Sequence, residues 1–397
     1  MSASDTHDLS PAVTALMAVA CGAMVANLYY AQTLIGAIGP DIGLSPWVAG
    51  AIVTLTQLGY GLGLAFIVPL SDLVENKRLI VVASTGAVFG CIGIALSEGP
   101  VSFLIAATVT GICSVGTQVL VPLAAKLSSQ ARQGRTIGLV MSGLLTGIML
   151  ARPFASFVAG AMGWRGLFFV SAGVTAAVGL ALLAMLPSYR PHSTLRYRAL
   201  LASSVDLLRR YPVLRLRAAY QSLMFIAFNL FWTAAPLVLT QRFGLRANGI
   251  ALFALAGAGG ALAAPIAGHL ADKGRARTTT LAAILLLGLS FVAADMVVAA
   301  GSLIAFALTA VLIDSAVQLS QISGQRIIFG LDTAAGGRIN AAYMSIMFLF
   351  GATGSLIGSA SFEAGGWSLS ALIGAGIGGV GLLLFALFDR RGAQSTD

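Results

Sequence analysis

Charged side chains are scarce in this sequence. Asp, Glu, Lys and Arg together make up 9% of its 397 residues, whereas 58% of the residues are hydrophobic. A soluble globular domain carries about 25% charged residues. The chain therefore lacks the polar side chains needed to cover a water-facing surface, and the composition indicates an integral membrane protein.

Residues that carry chemistry are also few. The three cysteines, Cys21, Cys91 and Cys113, stand alone in apolar runs, which excludes paired spacing and Cys-based metal-ligand spacing. The sequence has no His-Glu-x-x-His motif and no Gly-rich phosphate loop ending in Lys-Ser/Thr. We therefore expect no enzyme, no metal, no cofactor and no ATP-driven pump.

Long apolar runs recur along the whole chain. A membrane-spanning helix needs about 20 apolar residues, so 397 residues have room for twelve spans with short turns. Runs this long and continuous cannot be barrel strands, and in lipid only a helix satisfies its own backbone. The sequence predicts an all-α membrane protein with spans 1 to 12 near 12–36, 47–70, 78–97, 101–126, 135–161, 165–187, 216–240, 247–270, 278–299, 301–326, 337–362 and 367–388.

Basic residues fall mainly on one side of these spans. Nineteen of the 23 Lys and Arg residues lie on the side that holds both chain ends, three lie on the other side, and Arg152 lies within span 5. Cytoplasmic loops carry such an excess, so we expect both termini in the cytoplasm and the protein in the bacterial inner membrane. Since the net charge of +9 resides in these short loop clusters, no nucleic-acid partner is expected.

One long polar connection divides the chain. It is rich in arginine, and we take residues 188–215 as a basic linker between an N-terminal six-helix bundle, 1–187, and a C-terminal bundle, 216–397. Within it, Leu200–Arg210 is either an amphipathic helix lying on anionic headgroups or a solvated loop that only fixes topology.

The two halves resemble each other. Asn27-Leu-Tyr-Tyr30 matches Asn229-Leu-Phe-Trp232 at an offset of 202, and Gly163-Trp164 matches Gly366-Trp367 at an offset of 203. Gln118 with Gln321 and Arg135 with Arg338 follow the same offset of 203. Parallel repeats of six helices place a substrate site near the membrane midplane between the halves.

Two basic turns occupy equivalent positions in this repeat. Gly268-His-Leu-Ala-Asp-Lys-Gly-Arg275 lies between spans 8 and 9, and a similar turn, containing Asp72, Lys77 and Arg78, lies between spans 2 and 3. Gly268 allows close helix approach, and Asp272 can cap the next helix. From the residues alone, each turn is a topological anchor and a helix cap.

With these turns, twelve spans and a central basic linker, nearly the whole chain resembles the major facilitator superfamily, and within it the bacterial drug-efflux-like proton antiporters. The resemblance implies alternating access, in which the turns latch the cytoplasmic side. It gives gating roles to Asp72, Lys77, Arg78, Gly268, Asp272 and Arg275. The chain departs from that branch at Ala107 and Arg152, where the branch usually has an arginine and a glycine respectively.

Asp314 is the strongest candidate for proton coupling. A charged group at mid-bilayer costs at least ~2.5–3.5 kcal/mol, so such a residue is a functional candidate by default. Asp314 lies near the middle of span 10, with Gln318 and Gln321 following on one helical stripe. We expect the stripe to face the cavity; Asp314 either binds a proton or substrate there, or is a buried hydrogen-bonding group.

Arg152 is the second intramembrane charge. It can bind an anionic group in the cavity or pair with Asp314, or it can extend toward the membrane interface. A cation at this depth disfavours cationic drugs.

Further polar residues in the spans are candidates for substrate contact, or else for interhelical hydrogen bonds. They are Asn27, Tyr30, Gln57, Gln118, Asn229 and Trp232.

Together these observations predict a secondary active transporter of a small organic solute, with efflux by proton antiport as the default. The expected partners are the solute, protons and membrane lipids, and the protein is expected to be a monomer. Uptake or exchange of an anionic metabolite is the first alternative, and a receptor or scaffold without transport is the second.

Overall fold

A computed structural model describes residues 9–130, 132–191, 196–257, 259–260, 263–332 and 335–389. All regular secondary structure in these ranges is helical. The predicted all-α membrane fold with twelve spans in two bundles is confirmed.

The N-terminal bundle contains spans 1 to 6. Span 1 consists of Pro11–Ala26, a 3-10 turn at Tyr30–Leu34 and a short helix at Ile35–Asp41. Span 2 contains Ala51–Phe66, flanked by 3-10 turns at Pro46–Val48 and Val68–Asp72. Span 3 is Asn76–Ala95, span 4 combines Pro100–Cys113 with Gly116–Lys126, and spans 5 and 6 share the helical run Gln133–Met185.

The C-terminal bundle repeats this order. Span 7 is Pro212–Gln241, span 8 combines Ala247–Gly257 with Ala263–Asp272, span 9 is Ala276–Ala299 and span 10 is Leu303–Phe329. Spans 11 and 12 share Gly336–Gly351 and Thr353–Phe388.

Two glycines divide the longest helical runs. Gly163 has φ 73° inside Gln133–Met185, and Gly366 has φ 65° inside Thr353–Phe388. A positive φ costs little only for glycine, so each residue permits a break that separates two spans. Both breaks coincide with the predicted gaps between spans 5 and 6 and between spans 11 and 12.

The linker contains a helix, Tyr197–Arg210. The segment Leu200–Arg210 is thus helical and not a loop, whereas its place on anionic headgroups stays a prediction. Leu200 and Leu207 on this helix are buried. The Tyr197 hydroxyl donates to the Phe66 carbonyl of span 2 (2.8 Å), and Arg338 of span 11 donates to the Ser203 hydroxyl (3.0 Å). The helix thus contacts both bundles on one face of the protein, which we call the linker face; the turns at Gly43 and Gly244 lie at the opposite face.

Span 1 packs on span 5, and span 7 packs on span 11 in the same way. A Cβ atom on Gly22 would lie 2.7 Å from the Gly143 carbonyl oxygen, so these backbones touch and a side chain larger than hydrogen does not fit. The halves meet where span 2 packs on span 11 and where span 5 packs on Ala247–Gly257 of span 8. Close packing at small residues is the usual association mode of membrane helices.

Candidate functional site

A cluster of buried amides joins the two halves at the centre of the molecule. The Asn229 side chain of span 7 accepts hydrogen bonds from Gln32 of span 1 (2.7 Å) and Gln57 of span 2 (3.0 Å). Its amide nitrogen donates to the Gln57 oxygen (2.8 Å) and to the Gly351 carbonyl of span 11 (3.1 Å). One side chain therefore ties four spans together, two from each half.

Arg152 of span 5 lies next to this cluster. Its side chain is 3% exposed, and Nε donates to the Gln32 oxygen at 2.8 Å. The guanidinium carbon lies 4.4 Å from the ring centre of Trp232, 4.9 Å from that of Phe228 and 5.0 Å from that of Tyr29. Aromatic faces attract a cation at such distances, so the ring set holds the charge inside the protein rather than at the membrane interface.

The guanidinium is not fully satisfied. Its Nη2 atom is buried and has no hydrogen-bond partner among the described residues. A buried unpaired donor costs about 1–3 kcal/mol, more for a charged group. A ligand with an acceptor atom placed here would remove that cost.

Asp314 of span 10 completes the central set. The carboxyl group is 9% exposed, and Oδ1 accepts a hydrogen bond from the Trp232 indole N–H at 2.8 Å. Since the same indole ring lies against the Arg152 guanidinium, Trp232 connects the two intramembrane charges. The sequence suggested that Arg152 pairs with Asp314; in the structure each of the two residues contacts Trp232.

Span 8 is interrupted beside Asp314. A Cβ atom on Gly257 would lie 2.6 Å from the Trp232 ring, and one on Gly260 would overlap the Asp314 side chain. Span 8 therefore packs closely on span 7 at Gly257 and on span 10 at Gly260. These glycines let the backbone of span 8 close one side of the Trp232–Asp314 pair.

The remaining predicted contacts lie around this centre or apart from it. Gln118 of span 4 donates to the Tyr60 hydroxyl at 3.2 Å. Gln318 is half-buried, and Gln321 lies 4.0 Å from the Met344 sulfur. Seven residues along a helix correspond to about 10 Å, so Gln321 lies well toward the linker face from Asp314.

Asn27 and Tyr30 lie outside the central cluster. The Asn27 oxygen accepts a hydrogen bond from Ser171 of span 6 at 2.5 Å, inside the N-terminal bundle. The Tyr30 ring packs against Phe154 with 5.9 Å between ring centres. A substrate role for these two residues stays a prediction, without support from their position.

The sequence reasoning missed Gln32, Tyr29 and Phe228. Gln32 is an amide within a predicted apolar span, and that was the available signal. It was obscured because the helix of span 1 ends at Ala26, which changes the direction in which the following residues point.

The predicted gating residues lie at the linker face. Asp72 is 3.7 Å from the Lys126 ammonium group, and Arg78 pairs with Glu75 at 2.8 Å. Lys77 is half-buried and Arg275 is exposed. The side chain of Asp272 lies outside the described part of the structure.

The close helix approach expected at Gly268 is not present. Among the described residues, no atom lies within 4 Å of a Cβ placed there.

The opposite face is closed between the halves. The backbone N–H of Gly50 donates to the Ser359 hydroxyl (3.1 Å), the same hydroxyl donates to the Trp47 carbonyl (3.3 Å), and Thr54 donates to the Ala352 carbonyl (2.7 Å). These bonds hold span 2 against span 11. The structure is thus sealed on the side away from the linker.

Twelve spans in two repeated bundles, with a polar site between them and one face sealed, define the architecture of an alternating-access transporter. Comparison of the sequence with family models agrees: the model of the Major Facilitator Superfamily matches residues 14–318. The chain belongs to this superfamily and is a secondary transporter and a multi-pass membrane protein, not an enzyme.

Its relatives include transporters without an assigned substrate. The chain is 40% identical over 380 residues to the uncharacterized transporter YgaY of Escherichia coli O157:H7, with 96% of each protein covered. It is 32% identical over 357 residues to the probable transporter SCO4007 of Streptomyces coelicolor, covering 89% of this chain and 82% of the relative.

Solved structures share the fold. A bacterial homologue of the human lysosomal transporter Spinster, in an inward-facing and occupied conformation, matches with a TM-score of 0.75 at 12% identity and 96% coverage of both chains. The nucleoside transporter NupG matches with a TM-score of 0.73 at 13% identity, covering 94% of this chain and all of the other.

Proposed function

We propose that this protein exports a small organic solute in exchange for protons, and that Asp314 carries the proton. The observation that supports this most directly is the placement of Asp314: a carboxyl group at mid-span, almost fully buried, whose one oxygen is held by Trp232. An ionisable residue inside the membrane is costly and marks proton or substrate pathways. Efflux is the direction implied by the resemblance to the drug-efflux-like branch.

The solute binds between the halves in this proposal. Asn229 and Gln57 offer amide groups from both bundles, and Arg152 and Trp232 lie beside them. Binding or release of a proton at Asp314 changes the charge next to the indole that supports Arg152. Substrate and proton would thereby influence one another through Trp232, and the basic turns at the linker face would open and close access.

The linker face is cytoplasmic in this proposal, and the protein is a monomer of the bacterial inner membrane. The basic residues of the linker helix and of the turns after spans 2 and 8 support that orientation. Reporter fusions at the C-terminus test it, since an alkaline phosphatase that is active there would place the chain end outside.

Proteoliposomes with an imposed pH gradient test the proton role. The wild type should move a solute from a panel of organic cations, anions and neutral drugs in response to the gradient. Asp314→Asn should lose the gradient dependence, whereas Asp295→Asn should keep it, because Asp295 is bonded to Ser368 away from the central cluster. Gradient-driven transport that persists in Asp314→Asn would make Asp314 structural, and a wild type without any flux would favour a receptor or scaffold.

A second candidate is uptake or exchange of an anionic metabolite. The specific observation in its favour is the buried, unpartnered Nη2 of Arg152, which matches a carboxylate or phosphate acceptor. If the solute is an anion, Arg152→Gln should abolish its transport, while Arg152→Lys should keep a weaker flux because the charge remains but the forked geometry is lost. Equal transport of anions by wild type and Arg152→Gln would remove this candidate.

A further inference from the structure

Arg152 and Asp314 place two opposite charges at one level of the membrane. Arg152 lies eleven residues before the break at Gly163, and Asp314 lies eleven residues after span 10 begins at Leu303. Because Gly163 and Leu303 both lie at the face away from the linker, each charge is separated from that face by about 16 Å of helix. The N-terminal half thus supplies a cation, and the C-terminal half supplies an anion at the same depth.

The two charges are held apart rather than paired. The guanidinium of Arg152 lies against the ring of Trp232, and the indole N–H of that ring donates to one oxygen of Asp314. No direct ion pair joins the two residues, both of which the structure describes. A buried ion pair is stable only when direct contact and further hydrogen bonds satisfy both partners. Here an aromatic ring takes the place of that contact.

Each charge keeps bonding capacity for a ligand. The Nη2 atom of Arg152 is buried and has no hydrogen-bond partner among the described residues. Within the same ranges, Trp232 is the one hydrogen-bond partner of the Asp314 carboxyl group, so the second carboxyl oxygen is left for another donor. The site therefore offers an unused donor on its cation and an unused acceptor on its anion.

The fold itself does not require these charges. At the repeat offset of 203, Arg152 corresponds to Ser355 and Asp314 corresponds to Gly111. Ser355 shares a hydrogen bond with Thr233 (2.5 Å), and a Cβ atom on Gly111 would overlap the carbonyl oxygen of a neighbouring span. The matching positions thus serve helix packing with small uncharged residues. Charges that packing does not need, at a depth where they are costly, indicate a ligand.

We propose that the solute is a zwitterion, a small molecule that carries both a carboxylate and an ammonium group, as an amino acid does. The carboxylate binds Nη2 of Arg152, and the ammonium group binds the unused oxygen of Asp314. This assignment rests on the proposed function, since it names the class of solute that is exported in exchange for protons.

Charge distinguishes such a solute from its competitors. An organic cation at Asp314 is repelled by Arg152, and an organic anion at Arg152 is repelled by Asp314, because both charges lie in an interior of low dielectric constant. A zwitterion meets an opposite charge at each end. Tyr29 and Phe228, whose rings lie beside the guanidinium, suit an apolar body on that solute.

The same arrangement makes the proton and the solute compete. A proton on Asp314 removes the negative charge that binds the ammonium group, so the protonated site releases the solute. Among the described residues, the other titratable groups beside this carboxyl group are Arg152 and Tyr29, and both keep their protons between about pH 5 and pH 7. Asp295 on span 9 is bonded to Ser368, away from the site. Competition at Asp314 is what an exchange of solute for proton requires.

Binding to the purified full-length protein in nanodiscs tests the assignment. Isothermal titration calorimetry measures the dissociation constants of two matched sets of probes. One set is phenylalanine, phenethylamine and hydrocinnamate, and the other is leucine, isopentylamine and isocaproate. Each set compares a zwitterion with the cation alone and the anion alone on the same apolar body.

Two variants each remove one charge, namely Arg152→Gln and Asp314→Asn. The matched controls are Arg246→Gln and Asp295→Asn, because Arg246 is exposed at the face away from the linker and Asp295 is bonded to Ser368. The thermal unfolding midpoint shows whether each variant is folded. The order of affinities in the wild type tests the proposal without any variant.

The wild type should bind each zwitterion about tenfold or more tightly than the matching amine or acid, since a hydrogen bond to a charged group contributes at least that factor. Arg152→Gln should lose the preference over the amine, and Asp314→Asn should lose the preference over the acid. Lowering the pH from about 7 to about 5, a range in which the solute keeps both charges, should weaken zwitterion binding to the wild type but not to Asp314→Asn. Both controls should behave as the wild type.

Three results would overturn the proposal. They are equal affinity of the wild type for the zwitterion and for the amine or acid in both sets, no binding of either zwitterion, and a charge-removing variant that weakens all three members of a set equally. Transport in proteoliposomes separates these outcomes from the proposed function. Gradient-driven flux of singly charged solutes alone would retain the proton exchange and remove the zwitterion, whereas charge-specific zwitterion binding without gradient-driven flux would do the reverse.

Discussion

Replacing Gly50 with alanine should open the sealed face of the transporter. Gly50 lies where span 2 meets span 11, and a Cβ atom there would overlap the Ser355 carbonyl oxygen and lie 2.8 Å from the Leu356 nitrogen. Both neighbours are backbone atoms, so a change of side-chain rotamer cannot relieve the overlap. Ordinary contact at about 3.5 Å is restored only if the two spans separate.

The size of the effect follows from that overlap. An extra carbon in a well-packed contact costs about 1–3 kcal/mol, and only the conformation closed at this face carries the cost. A difference of about 1–3 kcal/mol changes the ratio of two states roughly 5- to 150-fold. Gly50→Ala should therefore shift the population toward the state in which the face away from the linker, sealed in this structure, is open.

Spin labels measure this shift. Ser45 and Glu363 are exposed at the opposite face on the two halves, and cysteines at these positions in a cysteine-free protein report their separation in nanodiscs. Gly173→Ala is the matched control, because a Cβ there meets no described atom within 4 Å. A distance distribution in Gly50→Ala equal to those of the wild type and the control would refute the reasoning.

Three further substitutions test other parts of the structure. Trp232→Phe keeps a ring against the central arginine but removes the hydrogen-bond donor to Asp314. It should lower the rate of gradient-driven transport roughly tenfold, since a hydrogen bond to a charged group contributes about 1.5–3 kcal/mol. An unchanged rate would argue against coupling through the indole. Arg217→Met removes the cation that pairs with the buried carboxylate of Asp389 (3.1 Å), and thermal denaturation should show that the free energy of unfolding falls by up to about 3–5 kcal/mol. The double variant with Asp389→Leu should regain most of this free energy, and a double variant without such a gain would contradict the reasoning. Asn27→Ala removes a bond inside one bundle; it should cost about 1 kcal/mol of stability and leave the substrate profile unchanged, so an altered profile would restore Asn27 to the solute site.

The spans were predictable because hydrophobicity alone sets them. Lipid demands about twenty apolar residues per helix, and the polar or glycine-containing gaps between such runs mark the turns. Gly163 and Gly366 fall in two predicted gaps, and both have the positive φ that ends one helix and starts the next. The break at the end of Ala26 was not predictable, since residues 27–35 contain neither glycine nor proline.

That missed break explains the part of the site that the sequence did not reveal. The repeat equates Asn27 with Asn229, but span 7 is one continuous helix through Asn229 whereas the helix of span 1 ends one residue before Asn27. The two matched asparagines therefore have different surroundings, and Gln32 takes the central position in the N-terminal half. Which rings surround Arg152 depends on contacts between distant spans, and a single sequence contains no measure of these.

The amide cluster also has a consequence for the order of synthesis. Gln57 precedes its partner Asn229 by 172 residues, and a ribosome adds roughly 5–20 residues per second. Roughly 10 to 35 seconds therefore pass between the synthesis of Gln57 and that of Asn229. The hydrogen bonds between Gln57 and Asn229 can form only after span 7 has been made, so they are available only to a chain that contains both partners.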